Sequence, residues 1–152
     1  MMTNNEFKEI FKNQLTKIGF KMRGNNFRLK TSEIETIVNL QKSNFSNLYY
    51  INYGYNLLNL DYGEVNTHVS ERLPQSEAFN LESEYQNRER DLLKIINEIL
   101  IPEISKIQTE KDIINLLQRK PYLNMTTTGK VKEYLNIQSV PAINPQPNSN
   151  IL

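Results

Sequence analysis

The chain contains no cysteine and only one histidine among its 152 residues. The lack of cysteine excludes disulfides, thiolate nucleophiles and cysteine-held zinc or iron–sulfur centres. A single histidine, with no HExxH or DxDxDG spacing, forms no recognisable metal motif, and the chain has no GxGxxG or Walker-type loop to hold phosphates. We therefore expect neither a metal nor a cofactor.

Long hydrophobic runs and an excess of one charge are also missing. No segment approaches the roughly 20 apolar residues of a membrane helix, and the first residues lack the apolar core of a secretory signal. We therefore expect a cytoplasmic protein with no membrane partner. The 18 Lys and Arg residues nearly balance 17 Asp and Glu residues, for a formal net charge of +1. Because nucleic-acid-binding domains usually carry a marked basic excess, a nucleic-acid partner is disfavoured.

The length is typical of one domain, since domains commonly span about 100–200 residues. We expect a single α+β domain over residues 4–120, followed by a weakly helical extension over 121–137. Residues 138–152 are predicted to be a disordered tail, because Pro141, Pro145 and Pro147 stand there among polar residues. The oligomeric state has no signature in the chain.

Apolar periodicity predicts the order of the elements. Phe7, Phe11 and Leu15 share one helical face, and Gly19 ends that helix. The predicted segments are a helix over 4–18, strands over 27–30, 33–42, 48–58 and 65–72, a helix from about 81 that Pro102 kinks or restarts, and a helix over 109–119. Short connections favour a four-stranded antiparallel meander, with the N-terminal helix and the C-terminal helices packed on one face.

Alternation along the strands predicts one apolar and one polar sheet face, because residues two apart share a face. The polar face is rich in amides and carries few carboxylates. Gly54 leaves a gap at its middle that admits close approach of a ligand or of backbone. The candidate binding residues on this face are Asn39, Gln41, Tyr50, Asn52, Asn56, His68 and Arg72.

Three other interpretations of these residues stay open. Antiparallel sheets commonly expose a polar face to solvent, so the amides are compatible with a simple solvated surface. A small-ligand domain or enzyme could use His68 as acid/base and Arg72 as anion holder. No motif near His68 supplies a nucleophile or an orienting carboxylate, and we assign no catalytic residue.

The third interpretation is a nucleic-acid patch. Its cationic residues are Lys21, Arg23, Arg28 and Lys30. Phosphate contacts and base stacking use such combinations of cations and nearby aromatic rings. The two neighbouring phenylalanines, however, also have ordinary structural explanations at a helix exit and in a strand.

Several segments together resemble the bacterial domain-of-unknown-function family DUF4304. They read GF and GNNF from position 19, IVNLQKS from 37, YINYG from 50 and HVSERL from 68. The resemblance covers roughly Phe7 to Arg119 and implies no catalytic residue, since the family has no established activity. Small bacterial domains of this kind often occur near toxin genes, which implies an immunity-like or regulatory role. We therefore expect a protein that occludes another bacterial protein through its polar and aromatic sheet face.

Overall fold

The computed structural model describes residues 1–61, 67–74, 78–82 and 87–138. The helices are α1 (Asn4–Thr16), α2 (Arg88–Lys94), α3 (Ile101–Ser105), α4 (Glu110–Arg119), α5 (Pro121–Thr126) and α6 (Gly129–Tyr134), with a π-helical segment (Ile95–Leu100) between α2 and α3. The strands are β1 (Lys21–Arg23), β2 (Asn26–Lys30), β3 (Ile34–Lys42), β4 (Leu48–Leu57), β5 (Val69–Arg72) and β6 (Phe79–Asn80). The predicted α+β class is confirmed.

The strands form an antiparallel meander in the order β1-β2-β3-β4-β5, and the short β6 pairs with the start of β4. The predicted four-stranded meander is confirmed, and β1 and β6 extend it. The turn between β1 and β2 is the two residues Gly24 and Asn25, with Gly24 at φ +62°. β5 begins at Val69, four residues after the predicted start; positions 65 and 66 lie outside the described residues.

Helix α1 is capped at its start and packs flat on the sheet. Thr3 accepts a hydrogen bond from the Glu6 amide, and the Glu6 carboxylate accepts one from the Thr3 amide at 2.7 Å. Phe7 is fully buried and stacks on Tyr49 of β4, with ring centroids 4.2 Å apart. The helix ends at Thr16, two residues before the predicted end.

The helix expected from about position 81 does not begin there, because Leu81 and Glu82 form a turn. Positions 83–86 lie outside the described residues, and α2 begins at Arg88. Asn87 precedes it with φ 66°, a left-handed conformation that interrupts helical backbone. At Pro102 the sequence predicted a kink or a restart of the helix, and the structure has a π-helical segment just before the proline. The Ile101 amide donates to the Ile96 carbonyl, five residues back, immediately before the proline. A π-helical turn thus adjusts the chain where Pro102 supplies no amide hydrogen.

The helices pack on the apolar sheet face, as predicted. Helices α5 and α6, within the expected extension, contribute buried Leu123 and Val131 to the same core. Of the expected tail, only Gln138 lies within the described residues.

A partly buried charge cluster ties the helices to β5. Lys120 Nζ lies 3.0 Å from a carboxylate oxygen of Glu71 and 2.9 Å from one of Glu103. Tyr122 also donates to Glu71, at 2.6 Å. Burial acts to raise the pKa of Glu103, but hydrogen bonds from Lys120 and Lys106 outweigh it and hold that pKa below its usual range. Because Glu71 points toward the helices, its neighbour Arg72 points to the polar face.

Gly54 allows β5 to approach β4 closely. A β-carbon at this position would lie 2.6 Å from the Val69 carbonyl oxygen and 3.0 Å from Thr67 Cγ2. The sequence left open whether a ligand or backbone fills the gap at Gly54. The structure places the backbone of β5 there.

Replacing Gly54 by alanine therefore destabilises the protein, because the added methyl group collides with backbone that cannot move aside. We expect Gly54→Ala to lower the free energy of unfolding by about 1–3 kcal/mol. Gly129→Ala is the matched control, since nothing lies within 4 Å of its β-carbon position. Urea titration measures both variants; equal effects would contradict the close approach.

Removing Lys120 leaves the nearly buried Glu71 carboxylate without its cation. We expect Lys120→Met to cost about 3 kcal/mol of folding free energy. Lys111→Met, an exposed position on α4, should leave stability nearly unchanged. Chemical denaturation at neutral pH compares the two, and a loss below about 0.5 kcal/mol for Lys120→Met would show that the cluster is unimportant.

Candidate functional site

Four polar side chains stand directly opposite one another across four strands of the polar face. The strand register pairs Asn26 with Asn39, Asn39 with Asn52, and Asn52 with Arg72. We call these four residues the polar ladder. Directly paired residues of neighbouring strands point to the same face, so the ladder crosses the sheet perpendicular to the strands.

The ladder is joined by side-chain hydrogen bonds that all run in one direction. Arg72 Nε donates to Asn52 Oδ1 at 2.7 Å, and Asn52 Nδ2 donates to Asn39 Oδ1 at 3.3 Å. Asn39 Nδ2 then donates to Asn26 Oδ1 at 2.8 Å. Each amide between the ends therefore accepts from one neighbour and donates to the next, an arrangement in which successive hydrogen bonds polarise one another.

A second pair, Gln41 and Tyr50, anchors the arginine end of the ladder. Arg72 Nη2 donates to Gln41 Oε1 at 2.7 Å, and Asn52 Nδ2 donates to the same oxygen at 3.0 Å. The Arg72 guanidinium lies 4.4 Å from the centre of the Tyr50 ring. A cation over an exposed aromatic ring contributes about 0.5–1 kcal/mol. The exposed arginine is thus held in one orientation by three neighbouring side chains.

Five of the seven predicted site residues therefore form one connected group, and the other two do not join it. Asn56 and His68 lie together where the chain enters β5. The His68 amide donates to Asn56 Oδ1 at 3.0 Å and also to the Tyr55 carbonyl at 3.0 Å. Regular pairing of β5 with β4 begins at the next residue, where Val69 stands opposite Tyr55.

The His68 ring also acts here as a structural acceptor. Its Nδ1 accepts the Leu57 backbone amide at 2.9 Å, which continues the β4 ladder beyond the end of β5. This bond requires an unprotonated Nδ1, so the neutral ring carries its hydrogen on Nε2. Burial lowers the pKa of His68, which also favours the neutral form.

A concavity of about 300 Å³ lies beside the ladder. Ile37, Gly54, Thr67 and Ser70 contribute to its lining along with the three asparagines and Arg28. His68 is not among the lining residues, so the concavity and the histidine belong to different parts of the face. The lining offers amide, hydroxyl and guanidinium groups for hydrogen bonding.

Sequence reasoning missed Asn26 as a member of the site. The run Gly24-Asn25-Asn26 reads as a turn, and the structure uses only its first two residues for that purpose. Counting a two-residue hairpin would have placed Asn26 in β2 opposite Asn39. Strand register also places Arg28 on the polar face, where its guanidinium donates to Glu35 at 2.7 Å.

Other kinds of site are not seen in the described residues. Among residues 1–61, 67–74, 78–82 and 87–138, no three His, Asp or Glu side chains come together as metal ligands. Every helix in those ranges is too short or too polar to traverse a lipid bilayer.

Comparison with known proteins defines the family of the chain. The family model DUF4304, described as a domain of unknown function, matches residues 11–114. The chain therefore belongs to the DUF4304 family, as its sequence resemblance indicated. No curated protein and no solved structure matches the chain.

The lowered pKa of His68 has a consequence for stability against pH. The unfolded chain takes up a proton near the ordinary pKa of 6.5, whereas the folded protein resists it. The His68 contribution is thus fully present above that value and is lost as pH falls toward the lower folded pKa.

We expect wild type to lose more stability than His68→Asn between neutral pH and about pH 5. Asparagine does not titrate, and its side-chain oxygen keeps an acceptor near the Leu57 amide. Unfolding free energies of both proteins across this range provide the comparison. Parallel curves would show that the ring protonates equally well in the folded state.

Proposed function

We propose that this protein is a cytoplasmic binding module that occludes another protein through its polar sheet face, in an immunity-like or regulatory role. The observation that carries the proposal is the fixed Arg72 group. Its guanidinium is exposed to solvent, yet Tyr50, Gln41 and Asn52 already hold it in position. An exposed side chain of this kind has little conformational entropy left to lose when a partner binds.

The composition of the face supports protein recognition. Arginine and tyrosine are the residue types that most often dominate binding energy at protein interfaces. Around them the asparagines and Gln41 offer directional hydrogen-bonding groups that fix the register of a partner. A purely solvated face needs no such network, because water would satisfy each amide separately.

The geometry favours binding over chemistry. His68 Nδ1 accepts a backbone amide, and this use conflicts with proton transfer at that atom. Glu35, the carboxylate of the described polar face, bonds to Arg28 instead of orienting a histidine. The His68 Nδ1 atom and the Glu35 carboxylate are thus both engaged in structural contacts.

A second candidate function is binding of a small polar ligand, with His68 as acid/base if the ligand reacts. The concavity beside Gly54 favours it, because its volume falls at the lower limit of about 300 Å³ for ligand pockets. The lining is rich in amides and hydroxyls, which suits a hydrogen-bonding ligand. Thermal-shift screening with polar metabolites tests this candidate.

Removing the two interface anchors should abolish capture of the partner without unfolding the protein. We expect Tyr50→Ala/Arg72→Ala to stay folded with a loss of about 1 kcal/mol, since Tyr50 is half-buried, Arg72 is exposed and their mutual contact contributes about 0.5–1 kcal/mol. The matched control is Tyr134→Ala/Arg90→Ala. It removes the same two residue types from helices at exposed positions.

The measurement is affinity capture from the native host with wild type and both variants, followed by quantification of bound proteins. The proposal expects one stoichiometric protein that wild type and the control retain and the folded Tyr50→Ala/Arg72→Ala variant loses. Equal retention by all three proteins would refute the polar face as the binding surface. If the Tyr50→Ala/Arg72→Ala variant lost stability together with binding, Tyr50 and Arg72 would have a structural role.

A further inference from the structure

We infer that the protein partner presents an acidic segment to the polar face. This inference rests on the proposed function. Register places five cationic strand residues on this face. They are Lys21, Arg23, Arg28, Lys30 and Arg72. Against them the described strands supply one carboxylate, Glu35. The face thus carries a formal charge of +4, on a chain whose formal net charge is only +1.

The single carboxylate is covered and paired, so it does little to offset the accessible positive charge. The Glu35 side chain is only 10 % exposed. One of its oxygens lies 2.7 Å from Arg28 Nη1 and the other 3.8 Å from Lys30 Nζ. The cations surrounding it are the groups that an approaching partner meets first.

Cationic side chains of this face border two concavities. A second hollow of about 590 Å³ is bordered by Lys21, Arg23, Lys30 and Glu35, together with apolar Met22 and Leu29. It adjoins the hollow beside Gly54, because Arg28 borders both. An extended acidic segment can lie along this path, with carboxylates near the cations and amide contacts from the polar ladder.

Lys21 and Arg23 are the groups best placed to receive such carboxylates. Both are exposed on the edge strand β1. Neither forms an ion pair or a side-chain hydrogen bond with another of the described residues. Their binding to a partner therefore breaks no existing interaction, unlike that of Arg28 or Arg72. Positive charge accelerates the approach of an acidic partner and sets its orientation.

The face is better suited to protein carboxylates than to single-stranded nucleic acid. Nucleic-acid sheets stack bases on exposed aromatic rings. Within the described strands, the aromatic side chain on this face is Tyr50, and the Arg72 guanidinium already covers its ring. Phe27 and the other tyrosines of β4 point to the opposite, buried face. The described strands of this face therefore offer positive charge but no uncovered aromatic ring on which a base could stack.

Edge-strand cations also have a purely structural use, since lysine and arginine discourage pairing between the edges of two sheets. The two roles differ in their effect on an added acidic chain. A protective role predicts no binding preference for this face over other exposed cations. A docking role predicts that binding depends on Lys21 and Arg23 in particular.

The test uses fluorescence anisotropy with a labelled oligoglutamate peptide, an oligoglutamine peptide and an oligothymidylate, all of equal length. We expect wild type to bind oligoglutamate at low salt, to bind it less as salt rises, and to ignore oligoglutamine. Lys21→Gln/Arg23→Gln should weaken binding about fivefold. Arg90→Gln/Lys94→Gln, which removes the same two residue types from α2, should bind as wild type does.

Three results would overturn the inference. Absence of oligoglutamate binding would remove the acidic class, and equal weakening by both double variants would mean nonspecific charge attraction. Tighter binding of oligothymidylate, lost on Tyr50→Leu, would reassign the face to nucleic acid. None of these decides the proposed function, because capture of a protein through Tyr50 and Arg72 is measured separately and can succeed when oligoglutamate fails.

Discussion

The register between β3 and β4 is the constraint on which the rest of the structure depends. Nine residue pairs, from Ile34 with Leu57 to Lys42 with Tyr49, fix which side chains face the helices and which face away. A slip of one residue would turn either Asn39 or Asn52 into the core and expose the apolar residues of the same strand. The same register that builds the core therefore also aligns the polar ladder, and folding and recognition share one determinant.

β5 completes the site, and its position depends on both faces of the sheet. On the polar side Gly54 allows its backbone to come close, and regular pairing begins at Val69, just after the His68 amide donates to the Tyr55 carbonyl. On the helical side Glu71 is held by Lys120. Two adjacent residues of β5 thus have different roles. Glu71 binds the strand to the helices, and Arg72 lies on the surface proposed for binding.

Alternation in the sequence was enough to predict the α+β class, the two faces and the group of Asn39, Gln41, Tyr50, Asn52 and Arg72, because side-chain direction in a strand follows directly from parity. It did not predict the Asn26 member of the ladder, since a two-residue turn and a longer turn look alike in GNN. It also missed the role of His68, because nothing local in the sequence shows that its ring accepts the Leu57 backbone amide. The cationic cluster was visible as residue types, but its position beside the ladder depends on strand pairing across the sheet.

The proposed recognition depends on a polar face that is already fixed in the free protein. The most direct measurement is nitrogen-15 relaxation of arginine Nε groups in the unbound protein, comparing Arg72 with the exposed Arg90 of α2. We expect an order parameter for Arg72 near the rigid-backbone value of about 0.85, and a value below about 0.6 for Arg90. Equal, low values for both arginines would contradict it, because the ladder would then not hold its guanidinium in place.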